Sequence, residues 1–225
     1  GWQGRGWAGV EVGWGDAGGV VEWVGAWLRG GGRRKDGPDL VVSLGGAPTS
    51  KVLGAWLGAA SAPSFLIDPD RMWRDPEQVA SHVMACDPQA LLEALPAMDR
   101  NAWREEGMSA GKRATAAIAA TFVSTPLHEG HIVRALAARL PDNGQVFVGS
   151  SMPIRAADSF WPYAKTQQRF YGNRGASGID GLVSSGLGLA DGRSNVPTVM
   201  LLGGLSLAHD MTGRWAIKRH GRRAA

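Results

Sequence analysis

Three times along this chain a short apolar run stops abruptly in glycine or serine. Residues 40–44 (Leu-Val-Val-Ser-Leu) meet Gly45-Gly46, residues 145–148 meet Gly149-Ser150-Ser151, and residues 198–202 meet Gly203-Gly204. After the first and the third, the apolar spacing changes from a strand's to a helix's. Strand, glycine turn, helix and strand again is the βαβ unit, which places its strands parallel with the helix crossing over. The chain is therefore expected to be α/β, with ligands collecting where the strands end.

The first unit is the clearest. Ser50 is placed to cap a helix over residues 51–60, whose apolar positions are Val52, Leu53, Trp56 and Leu57. A strand over 64–67 follows, closed by Asp68-Pro69-Asp70. Helices are expected over 76–84 and 88–95. Residues 97–127 read as a connector, polar over 100–106, with an Ala-rich helix over 110–122 that Pro126 ends. A second unit then runs through a helix over 128–140, a Pro-Asp-Asn-Gly turn, the strand 145–148 and the loop 149–153. It continues through a short strand at Phe170-Tyr171, a Gly-rich loop over 173–178, a helix over 179–190, the strand 198–202 and a helix at about 206–219. Pro197 precedes that last strand, where a missing N–H is tolerated. Residues 1–37 differ, carrying 13 of the 33 glycines and five of the ten tryptophans. One amphipathic helix over about 19–29 is expected there, and the rest of that segment reads as foreign to the domains that follow. The expected divisions are 1–37, 38–95, 96–127 and 128–225.

Composition removes several classes. The glycines follow no three-residue period, so no collagen-like helix forms. Cys86 is alone, so no disulfide framework exists. No apolar run approaches the roughly 18 residues of a membrane span. The beginning, Gly-Trp-Gln-Gly-Arg, lacks the pattern of a secretory signal, and the expected location is the cytoplasm. The net charge is only +4, and the basic clusters Arg33-Arg34-Lys35 and Lys218-Arg219-His220 have no interleaved aromatic residues. Nucleic acid is not an expected partner.

The loops 149–155, 173–179 and 203–206 all follow strand ends. Each brings Gly or Ser, whose backbone N–H groups suit an anion, and two bring arginines, Arg155 and Arg174. Together they describe an edge for a phosphorylated cofactor and a carboxylated substrate. Other polar groups have plainer readings. His128 and His131 suit a helix start more than a metal, since no further His or Cys pair accompanies them. His209 and Asp210 are adjacent on a helix and face apart. Asp68 and Asp70 end a strand where dinucleotide folds hold a ribose.

At these loops the sequence resembles a family. The stretches Leu44-Gly45-Gly46-Ala47-Pro48-Thr49-Ser50-Lys51, Val148-Gly149-Ser150-Ser151-Met152-Pro153-Ile154-Arg155 and Gly172-Asn173-Arg174-Gly175-Ala176-Ser177-Gly178-Ile179-Asp180-Gly181 resemble the 2-succinyl-5-enolpyruvyl-6-hydroxy-3-cyclohexene-1-carboxylate synthases of menaquinone biosynthesis. The resemblance covers about residues 38–220. It implies a parallel-sheet central domain and the front part of a thiamine-diphosphate-binding domain. It also implies a carbon–carbon bond-forming transferase that uses thiamine diphosphate and Mg2+. Such an enzyme joins 2-oxoglutarate, after decarboxylation on the cofactor, to isochorismate, and works as a homo-oligomer. Carried onto this chain, Ser151, Arg155 and Arg174 stand at catalytic positions. Lys51, Arg155 and Arg174 stand at substrate carboxylates, and Ser177, Ile179, Gly203, Leu205 and Ser206 stand at the cofactor.

Two departures are visible. The family's diphosphate loop reads Gly-Asp-Leu-Ser, and here Gly204 replaces the aspartate that would bind magnesium, so no metal ligand is expected. The family's pyrimidine-binding domain and Asn-rich metal loop have no counterpart in the sequence. The chain thus reads as a fragment, inactive by itself. The rival expectations are a thiamine carboligase of the acetolactate synthase type and a non-catalytic nucleotide-binding or assembly module.

Overall fold

A computed structural model describes residues 24–30, 38–95, 102–162, 168–173, 178–213 and 215. It divides between Val123 and Ser124 into two units, and in the described residues each unit holds one three-stranded parallel sheet. The α/β class expected from the strand–turn–helix pattern is the class observed.

The first unit runs α1 (Val24–Arg29), β1 (Val41–Leu44), α2 (Lys51–Gly58), β2 (Ser64–Ile67), β3 (His82–Met84), α3 (Pro88–Ala94) and α4 (Ala102–Ser124). β2 lies between β1 and β3, with Leu44 level with Ile67 and Ile67 level with Met84. Ser50 caps α2 as expected, its hydroxyl accepting the Leu53 N–H at 3.3 Å. Asp87 does the same for α3, accepting from Ala90 at 2.9 Å. Val24 and Leu28 of α1 are buried against Leu53 of α2, with Trp27, Trp56, Leu57 and Met108 packed around them. Burying one such side chain contributes roughly 1.5–3 kcal/mol. Residues 24–29 therefore belong to this unit's core and fall within the helix expected over about 19–29. Residues 1–23 and 31–37 lie outside the described residues.

The helix expected over 76–84 does not form. Residues 82–84 instead extend the sheet as β3, and the Phe65 and His82 rings stack at 4.5 Å across the strand pair. The Asp75 carboxylate accepts the Ala80 N–H at 2.8 Å and closes a turn where a helix would have continued. Parallel pairing outweighs helical propensity here because a strand of three residues carries no periodicity to read. α4 begins at Ala102, earlier than expected, so residues the charge pattern marked as connector are helical.

The second unit runs α5 (Glu129–Arg139), β4 (Gln145–Val148), α6 (Met152–Phe160), β5 (Arg169–Tyr171), α7 (Leu182–Gly192), β6 (Thr198–Leu201) and α8 (Gly204–His209). β4 is the middle strand, with β5 on one side and β6 on the other. All four of its residues are buried, as a parallel strand covered on both faces requires. Val146 and Val148 pack with Leu140, Ile154 and Ala157, and Trp161, Phe170, Val199 and Leu201 close around them. On the opposite face Gln145 spends its amide on Thr198 Oγ1 at 2.8 Å. α6 was not expected from the sequence, where residues 149–153, with Pro153 at their end, read as the loop after β4. At the first turn of a helix proline costs nothing, and there it stands. α7 starts at Leu182 rather than at residue 179, after Gly181 takes a left-handed turn at φ +65°. α8 starts at Gly204 and ends at His209, with a turn over 210–212 inside the helix expected over about 206–219, while residues 214 and 216–219 lie outside the described residues.

The two interior glycines of α7 differ in what surrounds them. A Cβ on Gly186 would run into the Met200 side chain and stand 3.3 Å from the Phe147 ring, whereas a Cβ on Gly188 would meet nothing. Gly186→Ala is expected to lower stability by about 1–2 kcal/mol through overpacking. Gly188→Ala is expected to raise it by up to about 1 kcal/mol, the ordinary helix preference. Urea unfolding of the two variants reads the opposite signs.

Candidate functional site

In the second unit, parallel pairing brings three loops to one rim. Val148 is level with Leu201, and Phe147 is level with both Tyr171 and Met200. The chain therefore leaves β4 at Gly149, β5 at Gly172 and β6 at Leu202 on the same edge of the sheet, with the β4 loop between the other two. Close approach explains the glycines. A Cβ on Gly172 would lie 3.0 Å from the Val148 carbonyl oxygen, and one on Gly149 would lie 3.1 Å from Leu202 Cδ2.

Ser151 ends the β4 loop and precedes α6 at φ +70°, ψ −127°. A residue with a Cβ seldom adopts this conformation, and holding it there costs on the order of 1–3 kcal/mol. The turn exposes Ser151 at the rim, and its hydroxyl does not cap α6. Arg155 lies one turn further along α6 and is also exposed, while Ile154, Ala156 and Ala157 are buried beneath it. Asn173 fixes the β5 loop by donating to Ser185 Oγ of α7 at 3.1 Å.

After β6, Gly203, Gly204, Leu205 and Ser206 form the turn and the start of α8. Ser206 is buried and Leu205 stands outward, 83% exposed. Gly204 has open space where a side chain would be. Ile179 is exposed just before α7. Arg174 and Ser177 lie outside the described residues. Lys51 opens α2, exposed, and belongs to the first unit.

Asp210 and Ser184 form a connection that the sequence did not reveal. Gly181 occupies the N-cap position of α7 and has no side chain with which to cap it. Asp210, which follows α8, supplies the missing acceptor. Ser184 donates its backbone N–H to Asp210 Oδ2 at 2.8 Å and its hydroxyl to Oδ1 at 3.2 Å. Gly213 permits the approach, since a Cβ there would stand 2.7 Å from Ser184 Oγ. His209 turns to Asp180 instead, at 3.4 Å between exposed groups. The two neighbours do face apart, and Asp210 ties the end of α8 to the start of α7. Such a pairing of residues 26 positions apart leaves no signal in spacing.

The metal question rests on donor chemistry. Gly204 offers no side-chain oxygen, and both oxygens of Asp210 are engaged by Ser184. Among the described residues no group of three or more His, Cys, Asp or Glu could hold a metal ion. The turn at 203–206 is glycine-rich and open at Gly204, and its Ser206 is buried. No helix among the described residues is long and apolar enough to cross a membrane.

A parallel α/β sheet whose strand-end loops are glycine- and serine-rich defines a class of anion- and cofactor-binding domains. The family described as "Middle domain of thiamine pyrophosphate" matches residues 32–148, and the chain belongs to that family. Three curated relatives, each named 2-succinyl-5-enolpyruvyl-6-hydroxy-3-cyclohexene-1-carboxylate synthase, show similar extents of likeness. The Bacillus velezensis protein is 37% identical over 189 residues, and the Halobacterium salinarum protein is 40% identical over 187. The Listeria monocytogenes protein is 36% identical over 191 residues. The matches cover 81–82% of this chain, and the chain spans about a third of the relatives' length, 32% in each.

Two expectations follow from the rim. Asp210→Ala should cost about 2 kcal/mol, because two hydrogen bonds to a buried carboxylate are lost, and Asp210→Asn should recover part of it. Urea midpoints of the two variants test this. Ser151→Gly should raise stability by up to about 1 kcal/mol by releasing the backbone, while Ser151→Ala, which keeps its Cβ, should not. Thermal unfolding of the pair separates backbone strain from loss of the hydroxyl.

Proposed function

We propose that this chain carries part of the active site of a thiamine diphosphate-dependent transferase that decarboxylates 2-oxoglutarate and adds the resulting four-carbon unit to isochorismate. The observation that carries the reading is the single rim formed by the β4, β5 and β6 loops, in a chain of the thiamine pyrophosphate family whose curated relatives bear that synthase name. Bound there, thiamine diphosphate would supply the carbon centre on which the 2-oxo acid loses carbon dioxide.

The chain's own groups bind and orient. Arg155, exposed on the first turns of α6, presents a planar fork of donors suited to a carboxylate. Ser151, exposed at the rim and not engaged in capping α6, offers its hydroxyl to the substrate. Arg174 is assigned to the second substrate carboxylate. Gly203, Leu205 and Ser206 are assigned to the diphosphate, their backbone N–H groups meeting its negative charge. Ser177 is assigned to the cofactor, and Ile179 to an apolar contact against its ring system. Charge neutralisation is the arginines' role, since a guanidinium does not give up its proton near neutral pH.

Calorimetry with 2-oxoglutarate and pyruvate as separate titrants tests the reading. The dicarboxylate should bind at least about tenfold more tightly than pyruvate, and Arg155→Ala should remove the difference. Equal binding of the two acids, or binding unchanged by Arg155→Ala, overturns the assignment in favour of an acetolactate-type substrate or none. In a second arm, Gly204→Asp should make thiamine diphosphate binding respond to magnesium.

A further inference from the structure

α5 opens on a pair of histidines, and each turns a ring nitrogen to the backbone as an acceptor. Gly130 donates its N–H to His128 Nδ1 at 3.1 Å, and His128 donates its own N–H to His131 Nδ1 at 3.3 Å. The two side chains thus close a reciprocal cap at the helix N-terminus, where a serine or aspartate and a glutamate ordinarily stand. An imidazole accepts at Nδ1 only when that nitrogen carries no proton. The arrangement therefore assigns both rings the neutral form, with the proton on Nε2. The two rings meet edge to face with centroids 4.4 Å apart, and the His128 ring lies 5.7 Å from that of Phe160, the last residue of α6.

Three physical effects oppose a proton at either Nδ1. It would set two donors against each other and leave an N–H at the helix start without its acceptor. The positive end of the helix dipole disfavours a cation there. Two imidazolium rings in contact would repel. The charged groups on α5 are Glu129, Arg134 and Arg139, and those on α6, which packs against it, are Arg155 and Asp158. Of these only Glu129 and Asp158 would favour an imidazolium, and both are exposed, where solvent and salt screen them. In the unfolded chain no such contacts hold the rings, and a histidine there takes up its proton between about pH 8 and pH 5.

We propose that His128 and His131 form a pH-sensitive clasp, which closes the start of α5 at neutral pH and opens on acidification, releasing the contact with Phe160 of α6. The unfolded chain binds more protons at these two rings than the folded one, so stability falls as pH falls and returns as it rises. α6 also carries Arg155, so the clasp bears on the helix behind the rim. It belongs to the second unit alone and stands or falls apart from the synthase reading.

The test compares thermal unfolding of the whole chain with that of the double variant His128→Asn, His131→Gln, whose side-chain amides keep both acceptors and do not titrate. From about pH 8 to about pH 5 the melting temperature of the native chain should fall about 2–4 °C further than that of the variant. Groups outside the clasp titrate in both chains and cancel in the comparison. Equal losses in the two chains overturn the proposal. Should the variant fail to fold, nitrogen-15 NMR and amide exchange of the native chain decide. Both rings should hold their proton on Nε2 at about pH 8, and the protection factor of the Gly130 N–H should drop on acidification. A ring protonated at Nδ1 at the upper pH, or a Gly130 protection factor that stays constant through the titration, overturns the proposal.

Discussion

The parallel hydrogen-bond ladder of β4 is the constraint on which the second unit depends. Because β5 and β6 both run in its direction, every chain exit falls on one edge. Had either strand been antiparallel, its glycine loop would have stood at the opposite end of the sheet and no rim would exist. The ladder persists because both faces of β4 are covered, one by α6 and the end of α5, the other by α7 drawn close at Gly186. Burial of Val146, Phe147 and Val148 and the position of the loops are thus one fact seen twice.

The rim itself is held by local arrangements that oppose ordinary preference. Ser151 keeps a backbone conformation that favours glycine. α7 begins on a glycine that cannot cap it, and takes its acceptor from Asp210 beyond α8. Such features are costly and are tolerated only where the surrounding packing over-determines them. Their concentration at one sheet edge agrees with the general placement of ligands in open α/β folds. The first unit repeats the principle with a different group, the unsatisfied carboxylate of Asp68 at the end of its own central strand.

Much of the architecture was legible in the residues. β2 and β4 match their expected bounds, and Ser50 caps α2 as its position before the helix indicated. What was misread has identifiable causes. Residues 82–84 are strand because pairing with β2 decides them, and three residues show no period. α6 was missed because residues 149–153 read as loop, although a proline such as Pro153 suits a helix at its start. The helix over 24–29 lies inside the one expected over about 19–29, and only its packing against Leu53 needed the fold to be seen.

The sequence by itself determined the alternation of strands and helices, the glycine loops and the residue types offered at each loop, because these depend on neighbours along the chain. It also determined the membership of the thiamine pyrophosphate family, through motifs that are contiguous. Only the tertiary structure decided that Asp210 restrains Ser184, that α7 approaches Met200 and Phe147 at Gly186, and that Asp68 is sealed from water without a donor. Those are contacts or exclusions between distant residues. Their energies come from close packing and desolvation, which no local pattern encodes.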